Sequence, residues 1–364
     1  MAVIATGFFD GVHLGHRLVT DTLLRCAKER GEESVIVTFW PHPRTVLQND
    51  ARSLRLLSSF QEKKSLLLGL GVDRVEVIDF SREFSHLTAE QYLRDYVQGR
   101  FGGSAVVIGY DNRLGSDHLG PQEISSLASS LGLDAIIVPA VPQGFGHCPA
   151  GPDVRYCSSV RMAEGALVDS SPAVLAENSA TLSLEGGPQA KRSGGVGGAD
   201  VLSEDLPGGI NVAKTISSTK IREALMNGDV QSAAAMLGYR YGLHGVVVSG
   251  NQLGRTIGFP TANMQLYEPL KLVPSNGVYL VEVETLGSHF FGMTNIGVKP
   301  TVSGAGVRTI ETNIFDFDEL IYGLDIRIRF ISKIRDEQRF GSLDILRGQL
   351  TADRAFCQSL ISNL

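Results

Sequence analysis

Ala2-Val3-Ile4-Ala5-Thr6-Gly7-Phe8-Phe9-Asp10-Gly11-Val12-His13-Leu14-Gly15-His16 opens the chain. The apolar run Val3 to Ala5 breaks at glycines and resumes as a helical pattern through Leu18, Leu23 and Leu24, so a strand passes into a helix through a tight turn. Such a turn offers free backbone N–H groups and the positive end of a helix, both of which attract phosphate. Gly7, Asp10 and Gly11 frame this anion turn. His13 and His16 share one face of the first helical turn, where two imidazoles can donate to the non-bridging oxygens of a phosphate under attack. A competing reading takes His13, His16 and His42 as three zinc ligands, and spacing alone leaves it open.

The same alternation continues to about Val141. Short β-rich runs (Ser34 to Phe39, Arg74 to Ile78, Ala105 to Ile108, Ala135 to Val138) alternate with helical segments (Thr20 to Arg30, Ser59 to Leu70, Thr88 to Gln98, Glu123 to Leu131). That is the signature of βαβ units on a parallel sheet, whose ligands gather beyond the carboxyl ends of the strands. Gly109-Tyr110-Asp111-Asn112-Arg113-Leu114-Gly115 follows one such strand and places Asp111 and Asn112 at that rim.

Residues 143–209 are rich in Gly, Ser, Ala, Pro and Asp, with Gly194-Gly195-Val196-Gly197-Gly198 as the plainest linker-like piece. Without a sustained hydrophobic period they are expected to form a disordered insertion open to proteases. Order is expected to resume at Ile216-Ser217-Ser218-Thr219-Lys220-Ile221-Arg222. Its hydroxyls suit a helix start, and Arg222, one turn on, can fork onto phosphate oxygens. Two short helices follow, ending near Asn227-Gly228 and Leu237-Gly238.

Beyond Tyr241 the pattern changes to short strands without intervening helices: Gly242 to Val248, Gly277 to Glu284, Phe290 to Asn295, Thr309 to Ile314 and Leu324 to Ile331. These suggest a small closed barrel, with a final helix from Ser342 to Ile361 packed on it. Within it, Gly254-Arg255-Thr256-Ile257-Gly258-Phe259-Pro260-Thr261-Ala262-Asn263 joins a glycine turn to a hydroxyl and an amide two residues apart. In an extended segment Thr261 and Asn263 face the same side, as a hard Mg²⁺ ion and phosphate oxygens require. An ordinary proline-initiated turn has the same look. Glu311 and Asn313 share one strand face, opposite Ile310 and Ile314. On the inner or rim face of a barrel, a carboxylate there can take a proton from an attacking alcohol.

Composition sets outer bounds. The chain has 364 residues, 43% hydrophobic and 20% charged, with a formal net charge of -6; that is enough for two ordinary domains and gives no reason to expect nucleic acid. Four irregularly spaced cysteines suit reduced thiols, and every apolar run is too short to span a membrane. A cytoplasmic protein acting on small molecules, as a monomer or transient oligomer, is the expectation.

The ordered set of motifs resembles the bifunctional riboflavin kinase/FAD synthetase family of bacteria. It comprises the histidine turn, Pro41-His42-Pro43, the Gly-x-Asp-x-Arg-x-Gly loop, Ile216 to Arg222, Gly-Phe-Pro-Thr-Ala-Asn, Gly277-Val278-Tyr279, Asn295-Ile296-Gly297 with Pro300-Thr301, the Glu311 strand, and Tyr322-Gly323. The resemblance covers nearly everything outside 143–209. It implies an α/β plus β fold: a Rossmann-like nucleotidyltransferase domain with a parallel sheet over 1–142 and 210–226, a linker helix over 227–240, and a Greek-key-like β-barrel kinase domain with a C-terminal helix over 241–364. It implies that the barrel phosphorylates riboflavin to FMN with ATP, and that the first domain transfers AMP from ATP to FMN, giving FAD and pyrophosphate. His13 and His16 then handle the α-phosphate, while Ser218, Thr219 and Arg222, with Gly7, Asp10 and Gly11, hold the triphosphate. Asp111 and Asn112 position substrate. In the barrel, Gly254, Arg255 and Thr261 bind ATP, Thr261 and Asn263 would hold Mg²⁺, Glu311 is the base, and Asn313, Arg335 and Phe340 meet the flavin. Leu114 stands where the family usually has Phe, and Lys299 where it usually has Arg. Another cofactor-pathway nucleotidyltransferase fused to an incidental barrel, and a flavin-binding storage or regulatory protein, are the rival readings.

Overall fold

Alternation along the first strand decides the core of the N-terminal half. In β1 (Ala2–Thr6), Val3 and Ala5 face one side of the sheet, while Ala2 and Ile4 face the other. Both sides are buried, as a parallel sheet covered by helices requires. The computed structural model describes residues 1–47, 54–142, 215–250, 253–299 and 307–364. The expected insertion at 143–209, the Pro300-Thr301 pair and the side chain of Lys299 lie outside the described residues.

The chain runs β1, α1 (Leu14–Arg30), β2 (Glu33–Trp40), α2 (Pro43–Leu47), α3 (Phe60–Gly69), β3 (Arg74–Asp79), α4 (Ala89–Gln91), β4 (Gly103–Gly109), α5 (Pro121–Ser130) and β5 (Asp134–Val138). The five strands are parallel in the order β3-β2-β1-β4-β5. The order reverses between β1 and β4, which opens a crevice at their carboxyl ends. α1 begins at Leu14, earlier than the helical segment from Thr20 that the apolar spacing marks, because His13 caps it: its Nδ1 accepts from His16 N at 3.3 Å. The helix expected from Thr88 to Gln98 is α4 followed by a π-helical stretch, Tyr92–Arg100.

The C-terminal half holds α6 (Ser218–Met226), α7 (Val230–Leu237), β6 (Gly242–Val248), α8 (Leu253–Thr256), β7 (Ala262–Leu266), β8 (Gly277–Thr285), β9 (Ser288–Lys299), β10 (Val307–Ile314), β11 (Asp325–Arg335) and α9 (Leu343–Ile361). Six strands close a barrel in the order β10-β7-β6-β11-β8-β9. Strands β8, β9 and β10 form a meander, and β11 returns to lie beside β8, which is a Greek key. β7 is a strand that the sequence reading passed over; its alternation is only five residues long. Tyr279, Val281 and Val283 of β8 point into the barrel, whereas Val278 and Leu280 point out to Cys357 of α9. Cys26 and Cys357 are free thiols.

All described residues belong to one compact unit. The barrel core is continuous with Ile221, Leu225, Val230 and Leu237 of α6 and α7 and with Leu57 of the first half. Leu56 exchanges backbone hydrogen bonds with Leu270 and Leu272, both at 2.8 Å. Glu62 of α3 pairs with Lys271 at 2.5 Å. These contacts fix the two halves against each other, something that could not be read from sequence.

Candidate active sites

The crevice between β1 and β4 is where the two motifs separated by about two hundred residues meet. Ile216 N donates to Val141 O at 2.9 Å, so the chain re-enters beside the end of β5. Ser217 caps α6 by accepting from Lys220 N. Ser218 Oγ then donates to the Asp10 carbonyl at 3.1 Å, and Arg222 Nη2 reaches the Asp10 carboxylate at 2.5 Å. Thr219 is exposed on the same first turn.

Asp10 is 3% exposed. Its carboxylate accepts from Leu57 N, Ser58 N and Ser58 Oγ at 3.0 to 3.1 Å as well as from Arg222. Its oxygens are therefore occupied by protein donors, and it builds the anion turn rather than facing an anion. Arg222 spends a second donor, Nε, on the Arg55 carbonyl at 2.8 Å. Gly11 adopts φ +78°, and a Cβ there would lie 3.0 Å from Leu57, so only glycine suits the position. Phe9 and the β-branched Val12 also take positive φ, 52° and 40°, a strained arrangement kept at functional turns when the surroundings enforce it.

His13 and His16 stack at 3.7 Å with planes 15° apart. Burial, opposed by Asp10 and aided by Arg222, pushes His13 down to about 4. Burial, then the neighbouring His13 and Lys63, holds His16 well below the usual imidazole range. Both rings are neutral at pH 7. Because His13 Nδ1 accepts the His16 N–H, its proton sits on Nε2, which is left as a donor. His16 Nδ1 is buried with no partner. His42, T-shaped on Phe8 at 3.9 Å, is likewise driven to about 4 by burial, and its Nδ1 accepts from Arg44 N at 3.0 Å. Among the described residues no three His, Cys, Asp or Glu side chains converge as a metal cage, so the zinc reading has no geometry behind it.

Across the crevice, Asn112 Nδ2 donates to Thr6 O at 3.1 Å and ties the β4 loop to the end of β1. Asp111 lies exposed beside it. Gly7 N continues the sheet by donating to Val37 O at 3.1 Å. Leu114 packs at the edge of the core on the π-helix side of the sheet.

In the barrel, Glu311 stands in register between Asn263 of β7 and Asn295 of β9. Ile310 and Ile314 belong to the barrel core, so Glu311, half-buried, faces outward rather than into the barrel. On the same face Asn313 is buried: its Nδ2 donates to Pro260 O at 2.7 Å, and its Oδ1 has no partner. Thr309 Oγ1 lies 3.4 Å from Glu311 Oε1. A cavity of about 390 Å³ is lined by Arg255, Thr261, Thr312, Ile314 and Tyr322, among others; that size suits a small-molecule site. Thr312 and Ile314 point away from Glu311, so Thr261 is the cavity residue next to the Asn263 and Glu311 row. Gly254 accepts from Phe259 N at 2.8 Å, and a Cβ on it would fall 2.2 Å from the Phe259 carbonyl. It closes the turn that presents Thr261.

Arg335 is bound to Asp353 of α9 through Nε at 2.9 Å and Nη2 at 2.8 Å, and its guanidinium lies 5.6 Å from the Phe340 ring. It anchors the tail that carries Phe340 and is not a free donor. The sequence reading quoted Asn295 only within a motif, without a role, and missed Asp353, the Leu57-Ser58 segment and Lys63.

Comparison with known proteins gives a separate family model for each end of the chain. Residues 1–146 match the FAD synthetase family model, and residues 237–361 match the riboflavin kinase model. A bifunctional riboflavin kinase/FMN adenylyltransferase of Bacillus subtilis is 31% identical over 100% of this chain and 93% of its own length. One from Escherichia coli K12 is 30% identical over 96% and 90%. A crystal structure described as a macrolide-efflux protein from Streptococcus pneumoniae superposes with TM-score 0.74 at 27% identity, covering 98% of this chain and 93% of that one. Among the described residues no helix is long and apolar enough to cross a membrane.

Proposed function

Because the chain belongs to the bifunctional riboflavin kinase/FMN adenylyltransferase family, making FMN from riboflavin and FAD from FMN with ATP as cosubstrate, we propose how its residues divide the two reactions. The crevice between β1 and β4 performs adenylyl transfer. Neutral His13 and His16 donate hydrogen bonds to the α-phosphate as the FMN phosphate attacks and pyrophosphate leaves. Neutral donors suit this step, since charge develops on oxygen and no proton need be exchanged. The first-turn N–H groups of α1, with Ser218, Thr219 and Arg222, hold the triphosphate, while Gly7 and Gly11, whose own N–H groups go to Val37 O and Ser58 Oγ, shape the turn around it. Asp111 and Asn112 border the substrate side. The observation that carries this reading is the convergence of Ser218 and Arg222 on Asp10, which joins the histidine turn to the distant helix in one site.

In the barrel, Glu311 takes the proton of the ribityl 5′-hydroxyl as it attacks the γ-phosphorus. Gly254, Arg255 and Thr261 border ATP, and Asn313 and Phe340 the flavin, with Arg335 holding the latter's tail. The orphaned, buried Asn313 Oδ1 beside Asn263 and Thr261 is a set of neutral oxygen donors. Such a set fits Mg²⁺ held mainly by substrate phosphates. Thr261 and Asn263 would hold the ion, which when bound neutralises phosphate charge. The setting we suppose is the cytoplasm, with the protein a monomer or transient oligomer and no nucleic acid or membrane partner. Chromatography of riboflavin, ATP and Mg²⁺ incubated with the protein tests the reading. FMN should appear first and FAD after it; a chain that makes FMN but leaves added FMN unadenylylated overturns the assignment of the crevice.

A further inference from the structure

Lys63, on the first turn of α3, adjoins the anion turn and has no part in the mechanism above. It is 2% exposed. Its Nζ donates to the Phe8 carbonyl at 2.9 Å and to Thr38 Oγ1 at 3.0 Å, and lies 4.0 Å from the centre of the Phe8 ring. Thr38 Oγ1 donates to the same carbonyl at 3.2 Å. Among the described residues no carboxylate lies within ion-pair distance of this ammonium. A buried ammonium without a counter-charge is costly.

The charged and titratable groups around it do not supply one. Asp10, from the β1–α1 turn, acts on Lys63 electrostatically but is already bonded to Arg222. His16 of α1 and His42 after β2 face it as neutral rings, and its charge is one of the causes that keep them neutral. The missing negative charge is what a polyphosphate brings. Building on the proposed adenylyl-transfer site, we propose that Lys63 is a positioning residue for that step: it pins the Phe8 carbonyl of the anion turn and provides the buried positive charge that bound ATP or pyrophosphate compensates.

This role has a pH signature. Burial lowers Lys63 to about 8, so the free enzyme loses the charge as pH rises through that value. A bound polyanion favours the charged form and moves the loss upward. In FMN-to-FAD conversion, kcat/KM for ATP should therefore fall above about pH 8, while kcat at saturating ATP holds to higher pH.

The test uses full-length Lys63→Met, with riboflavin-to-FMN conversion as the control for folding. The expected result is at least a tenfold drop in kcat/KM for ATP in FAD formation at pH 7, little change in the kinase reaction, and no remaining alkaline limb between pH 7 and 9. An unchanged ATP dependence, or the same limb persisting in the variant, overturns the proposal. If the variant loses both activities, calorimetry of the wild-type protein with ATP, without flavin and at pH 8.5, where the ligand's own phosphates are fully ionised, in buffers of different ionisation enthalpy, decides. Proton uptake on binding supports the proposal, and its absence overturns it. A wild-type protein that makes no FAD from FMN refutes the site assignment itself, a result distinct from either failure.

Discussion

Replacing Asp10 with alanine should destabilise the fold around the histidine turn rather than remove a substrate contact. The carboxylate is 3% exposed and accepts from Leu57 N, Ser58 N, Ser58 Oγ and Arg222. Truncation leaves a guanidinium and two backbone N–H groups without their acceptor. Breaking a buried pair by removing one partner costs about 3–5 kcal/mol, and each stranded donor about 1–3 kcal/mol. Arg222 keeps 21% of its side chain exposed and can recover some hydration, so the lower ends apply: about 3 kcal/mol for the pair and about 1 kcal/mol for each N–H, about 5 kcal/mol together. For a domain of this size that is a fall of about 10–20 °C in Tm. Scanning calorimetry of wild-type, Asp10→Ala and Arg222→Met proteins measures it. Arg222→Met should cost less than Asp10→Ala, because Leu57 and Ser58 still satisfy the carboxylate. An Asp10→Ala protein melting within about 2 °C of wild type, equivalent to under 1 kcal/mol, would refute the view that Asp10 builds the turn.

Other consequences follow from the same geometry. His13 has a folded-state value near 4 against 6.5 when unfolded, so its contribution is complete above pH 6.5 and is lost as pH falls toward 4. Urea midpoints should show a loss of ~3 kcal/mol from this residue over that window, and His13→Asn should flatten part of it; a pH-independent midpoint contradicts the neutral ring. For the same reason any acid limb in FAD formation should be that of the substrate phosphates, whose last ionisation lies at about pH 6, and its midpoint should stay in place in the residual activity of His13→Asn; a midpoint that moves in that variant would mean that the histidine titrates as the catalyst. Asp353, 3% exposed, holds Arg335 and accepts from Gln349 Nε2 at 2.8 Å. Asp353→Ala should destabilise the barrel by about 3 kcal/mol and raise KM for riboflavin more than KM for ATP, as steady-state kinetics would reveal.

The strand-turn-helix at Val3 to Leu24 was legible because its apolar alternation and glycines are local. So were the barrel strands, whose two-residue period is carried by residues such as Tyr279, Val281 and Val283. The five-residue strand β7 and the π-helical stretch Tyr92–Arg100 were not, since neither has a long enough pattern of its own. In the sites, the pairing of His13 with His16 and the arrival of Arg222 were visible as residue types. Their partners were not. Asp10 reads as a ligand in sequence, yet tertiary contacts with Leu57 and Ser58 occupy it. Lys63 sits in Gln61-Glu62-Lys63-Lys64, which reads as a solvated charge run, and only the packing of α3 against Phe8 buries it. Arg335 looked free until α9 supplied Asp353.

The central claim is that one chain carries two chemically separate phosphate-transfer sites. It is tested most directly by following both reactions in Glu311→Gln and His16→Ala proteins by chromatography. The account predicts that Glu311→Gln stops FMN formation but still converts added FMN to FAD, and that His16→Ala still makes FMN while FAD formation collapses. Folded variants that each lose both reactions to the same extent would contradict it.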